Sequence, residues 1–80
     1  MIDTYTRKPI RVSDGGTAGP YIRVRLEQLE TVCNLLLAHH VRHWAEKYAI
    51  SVDGQPAVVV VNLGPQVDRE EVQKLLDQVP

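Results

Sequence analysis

Eighty residues are enough for one small domain, and 44% hydrophobic with 24% charged residues is an ordinary globular balance. Nine basic residues nearly match ten acidic ones, for a net charge of -1, which excludes a polybasic or acidic tail as a description of the whole chain. There is no Phe and one Trp, so the core has to be aliphatic.

The longest aliphatic stretch, Pro56 to Val61, falls far short of the roughly 18 residues a membrane span needs. The first residues, Met1 to Tyr5, carry no apolar stretch of the kind found in a secretory signal. Cys33 is the sole cysteine, so no internal disulfide can form. The expectation is a cytoplasmic protein without a membrane segment. A core this small rarely supplies more than about 3–5 kcal/mol, so self-association is a natural supplement. Charge is unevenly placed. Residues 1–25 hold five basic and two acidic side chains, a net +3; residues 26–80 hold four and eight, a net -4.

Residues 1–7 read as a loose lead-in. Pro9 to Ser13 alternates, with Ile10 and Val12 on one face, and predicts a short strand. Residues 14–20, with three glycines and a proline, predict a flexible connecting loop. Tyr21 to Arg25 alternates again, Ile22 and Val24 facing in, Arg23 and Arg25 facing out. Leu26, Leu29, Val32, Cys33, Leu36 and Leu37 then recur at helical spacing and predict an apolar stripe on a helix ending near His39. Val41 to Glu46 predicts a strand that pairs in parallel with Tyr21–Val24, completing a strand–helix–strand unit. Ala49 to Val52, Asp53-Gly54 and Ala57 to Leu63 carry a hairpin signal, Asp-Gly being suited to a type I′ turn. Val58 to Val61 lacks alternation and is expected at the centre of the sheet. Asp68 is a good N-cap, Glu71 fits a capping box, and Val67 with Val72 suits a hydrophobic staple. Val72, Leu75, Leu76 and Val79 form that helix's buried face, and Pro80 stops it.

The order is β-β-α-β-β-β-α, the third and fourth strands being readable as one bent strand. The expected fold is a single small α+β domain. It is a two-layer sandwich with two helices on one face of a mixed sheet of four or five strands. From Tyr21 to Val79 the layout resembles the β-α-β-β-α arrangement of ferredoxin-like and related small regulatory domains. That resemblance is architectural and implies no function.

Enzyme chemistry finds little footing. His39, His40 and His43 cluster, but a helix ending between them breaks a metal-ligand face, so no metal site or cofactor is expected. Cys33 sits on an apolar stripe, as a small hydrophobe rather than a nucleophile. The glycine-rich loop lacks the Gly-Lys-Ser/Thr ending of a P-loop. Ser13 and Ser51 both sit in ordinary strand contexts, Asp53 is explained by its turn and Asp68 by its cap. A two-layer domain of this size also leaves little room for a closed pocket of about 300 Å³.

The strongest functional signal is basic. Arg23 and Arg25 share a strand face, Arg11 lies across from them if the first two strands pair, and Arg7, Lys8, Tyr5 and Tyr21 are near. Trp44 and Tyr48 read equally as interface anchors or as caps on the core. The expectation is a small non-enzymatic binding or regulatory protein. It would act through a sheet edge or through Arg11, Arg23, Arg25 and Trp44, on a protein partner or its own copy. Binding of nucleic acid or another polyanion by the basic N-terminal hairpin is the alternative.

Overall fold

The computed structural model describes residues 1–51 and 53–79. Val52, expected at the end of a strand, and Pro80, expected as a helix stop, lie outside the described residues. The elements in chain order are β1 (Val12–Ser13), β2 (Tyr21–Arg25), α1 (Leu29–Ala38), β3 (Trp44–Ala45), β4 (Val58–Asn62) and α2 (Arg69–Asp77). Single 3-10 turns, Gly16–Ala18 and Leu26–Gln28, flank β2. This is an α+β structure with a four-stranded antiparallel sheet in the order β1-β2-β4-β3.

The expected mixed sheet is therefore corrected. β3 pairs with β4, Trp44 opposite Asn62, and not with β2. β4 lies between them, Ile22 facing Val61 and Val24 facing Val59. The physical reason is burial. The all-valine run of β4 has apolar side chains on both faces and takes a central slot, leaving the exposed Trp44–Ala45 pair at the edge. β2 and β3 still run in the same direction, with α1 crossing between them and β4 inserted.

The two strands expected before the Asp53-Gly54 turn act as one interrupted arm. Ala45 faces Val61 and Ile50 bridges Val58, so five steps along one arm match three along the other. The surplus is taken up by a bulge around Lys47–Ala49. Asp53 and Gly54 both have positive φ, 51° and 74°, as a type I′ turn requires.

One core is enclosed. Ile22, Val24 and Val61 from the sheet, with Leu63, meet Val32 and Leu36 of α1 and Val72 and Leu76 of α2, so both helices cover the same sheet face. The α1 stripe is narrower than expected. Leu26 and Leu37 are 53% and 68% exposed, while Leu35 packs against the core. Leu26 lies in the 3-10 turn before α1, and Leu37 falls on the flank of a helix that can bury only side chains within about a 100° arc. At the start of α2 the Asp68 carboxylate accepts from the Glu70 and Glu71 amides, the expected cap.

Residues 1–7, expected to be loose, instead form a tight hairpin with residues 8–10. Asp3 N–H donates to the Lys8 carbonyl and Ile10 N–H to the Met1 carbonyl, and the Met1 side chain is buried in the core. The outer side of β1 is also held by α2. Val12 N–H donates to Gln73 Oε1 at 2.8 Å, and Gln73 Nε2 donates to the Ile10 carbonyl at 3.1 Å. One glutamine amide thus supplies the donor and acceptor that a neighbouring strand would have supplied.

The glycine-rich segment is the connection of the β1–β2 hairpin, and its last glycine is closely packed. Gly19, at φ 92°, lies so close to the Gly64–Pro65 backbone that a Cβ would stand 2.4 Å from the Gly64 carbonyl carbon.

α1 ends in a Schellman motif. Val41 N–H donates to the Leu36 carbonyl and His40 N–H to the Leu37 carbonyl, with His40 left-handed at φ 57°. Glycine normally fills this position, because a left-handed residue bearing a Cβ is strained. His40→Gly is expected to raise unfolding stability by about 0.5–1 kcal/mol, read as a higher urea midpoint at unchanged slope.

Candidate functional site

Among the described residues no helix covers the second face of the sheet. Strand alternation assigns its residues: Tyr21, Arg23 and Arg25 from β2, Val58, Val60 and Asn62 from β4, Trp44 from β3, and Ile50 through its bridge to Val58. Val58 and Val60 are half-buried, and Ile50 is 57% exposed. Together with Arg23, Pro56, Gln55 and the Asp3–Arg25 pair they line an open groove of about 570 Å³.

The candidate arginines separate into two kinds. Arg25 is buried, 6% exposed, and acts as a structural pin rather than the exposed contact residue expected. Its Nε donates to both Asp3 carboxylate oxygens, at 3.1 and 3.2 Å, and its Nη1 donates to the Pro56 carbonyl at 2.9 Å. The Tyr5 ring lies over the guanidinium, 4.8 Å from its centroid. Every contact joins segments distant in the chain: the N-terminal hairpin, β2 and the start of β4. Arg23 remains exposed, with its guanidinium carbon 6.0 Å from the centroid of the Tyr21 ring. Arg11 is exposed as well, and the β1–β2 register, continued one step beyond Val12–Ile22, sets it beside Arg23.

Trp44 is 48% exposed at the β3 edge, its ring leaning toward Gly64. There it walls a second open cleft of about 520 Å³, shared with Arg42, Pro65 and Glu71. Glu46, two residues on, accepts a hydrogen bond from Asn62 Nδ2 at 3.1 Å. Tyr48 is 77% exposed in the bulge.

His39 and His40 are exposed, whereas His43 turns inward and donates from Nδ1 to the Val41 carbonyl at 2.8 Å. Among the described residues no three His, Cys, Asp or Glu side chains converge as metal ligands. Cys33 is half-buried, and burial pushes its thiol pKa up, away from the reactive thiolate. Ser51 donates its hydroxyl to the Gln55 carbonyl within the hairpin loop. Among the described residues no helix is long and apolar enough to cross a membrane.

Two residues escaped the sequence reading. Asp3 lies 22 positions from Arg25, in a segment that carries no periodic signal, and Gln73 sits on an otherwise ordinary polar helix flank. Local pattern holds no trace of either contact.

No protein-family model, curated protein or solved structure matches this chain.

Burial works to raise the Asp3 carboxyl, but the Thr6 and Tyr5 amides and the Arg25 guanidinium outweigh it and hold its pKa below the ordinary value. A carboxylate depressed in the folded state stabilises the fold above the unfolded pKa of about 4, and that contribution is lost as pH falls. Asp3→Ala, which leaves the Arg25 charge buried without its partner, is expected to cost about 3 kcal/mol at neutral pH and to flatten the acid loss of stability. Arg23→Ala is expected to change stability by less than about 0.5 kcal/mol. Urea unfolding of both variants at pH 7 and at acid pH reads the difference.

Proposed function

We propose that this chain is a small non-catalytic binding module that docks the open face of its sheet onto an acidic protein surface. The observation that carries this reading is the uncovered β2–β4 face. Half-buried Val58 and Val60 there lie between exposed Ile50 on one side and Arg23 on the other. A groove with aliphatic Val58, Val60 and Ile50 and the exposed Arg23 on its wall suits a partner that offers both an aliphatic contact and carboxylates. Arg11 and Arg23 supply the charge, Tyr21 and Ile50 the apolar contact, and Trp44 closes the β3 end. Arg25 is withdrawn from this role because it is spent on Asp3.

The framework fits the proposal. We read the β2-α1-β3-β4-α2 run as resembling the split β-α-β layout of ferredoxin-like domains, with β1 added on the N-terminal side. That layout leaves one sheet face free for recognition.

The polyanion alternative is weaker. Removing Arg25 leaves Arg11 and Arg23 as the strand-face cations, few for a phosphate backbone.

The test uses the tagged full chain in nuclease-treated native lysate, with three variants compared side by side. The paired change Arg11→Glu with Arg23→Glu is expected to abolish a protein retained by the unaltered chain, and Val60→Asp to do the same. Glu70→Lys on α2 is expected to leave it bound. A retained set unchanged by the face variants overturns this reading, and so does retention that disappears with nuclease.

A further inference from the structure

We infer that the β3 edge pairs with the β3 edge of a second copy of this chain, antiparallel, about a two-fold axis through Trp44. The inference goes beyond the open-face reading and uses the β3 edge, sharing Trp44 alone with that face.

Among the described residues the two edges of the sheet differ. The β1 edge is occupied, with Val12 N–H and the Ile10 carbonyl bound to Gln73, and Ile10 N–H bound to Met1. The β3 edge has no such cover. Glu46 N–H donates inward to the Val60 carbonyl, so Trp44 and Glu46 direct their backbone groups toward β4. Antiparallel alternation then directs the N–H and C=O of Ala45, and of His43 before it, outward. A strand can add there by main-chain hydrogen bonding.

The occupant is selected by charge. Around Trp44 the sequence reads Arg42-His43-Trp44-Ala45-Glu46. Arg42, Trp44 and Glu46 share one face by alternation, and all three are exposed. A two-fold axis through Trp44 places Arg42 opposite the Glu46 position of the other copy, and Glu46 opposite its Arg42 position. Two opposite-charge cross-strand pairs form, one on each side of the axis. The two Trp44 residues face each other across the axis as a non-hydrogen-bonded pair. His43 and Ala45 form the hydrogen-bonded pairs on either side, which is the pattern their outward backbone groups require. An axis between Trp44 and Ala45 fails on both counts. It pairs an inward-bonding residue with an outward-bonding one, and it sets Arg42 against Lys47.

The experiment is sedimentation velocity on the full chain over a wide concentration range. The unaltered chain is expected to shift from the mass of one chain toward that of two as concentration rises. Arg42→Glu alone and Glu46→Arg alone each turn both cross-strand pairs into like-charge pairs, and each is expected to stay monomeric. An equimolar mixture of these two variants restores opposite charge at both contacts and is expected to recover the dimer. Arg11→Glu with Arg23→Glu is expected to dimerise as the unaltered chain does, which separates failure here from failure of the face reading. The inference is overturned by an unaltered chain that stays monomeric, by single variants that still dimerise, by a mixture that does not recover, or by a dimer lost with the Arg11 and Arg23 changes.

Discussion

Two short helices can cover one side of a four-stranded sheet and no more. That constraint governs this structure. α1 and α2 span ten and nine residues, and both lie against the face built from Ile22, Val24 and Val61. Everything apolar that the chain can enclose is enclosed there. The opposite face is paved with residues that tolerate water, which accounts for the tyrosine, arginine, valine and asparagine mixture that β2 and β4 present there.

The wet face also explains why one of its arginines is not free. Where β2 turns into the 3-10 segment before α1, no helix among the described residues shields the end of the sheet. The N-terminal hairpin fills that gap, and Arg25 fastens it through Asp3, Tyr5 and the Pro56 carbonyl. A buried guanidinium needs several acceptors at once, and here three segments meet to provide them. Residues 1–10 are thereby part of the core architecture and not an appendage.

Much of the fold was legible because the relevant signals are local. Alternation in Tyr21–Arg25, the Asp68 cap, the Asp53-Gly54 turn and the burial of Val72 and Leu76 each depend on neighbours a few residues away. The direction of the sheet was not legible. Alternation states which face a side chain takes and says nothing about which strand lies beside it, so β3 was set against β2 when β4 comes between them. The six-residue stripe on α1 was drawn too wide for the same kind of reason: periodicity finds a sector, and packing decides its edges. Of the site residues, Arg11 and Arg23 lie on the face that alternation assigns them, Trp44 could be read either way from sequence, and Arg25 required knowing that Asp3 folds back across 22 positions.

The amide of Gln73 has a consequence beyond holding β1 to α2. A sheet with two bare edges can add neighbours at both ends without limit, which is the geometry of a fibre. Here, among the described residues, one edge is occupied from within by a side chain and the folded-back N-terminal segment. The sheet is left with a growth valence of one, so any edge pairing at β3 closes at two chains and cannot propagate into a filament.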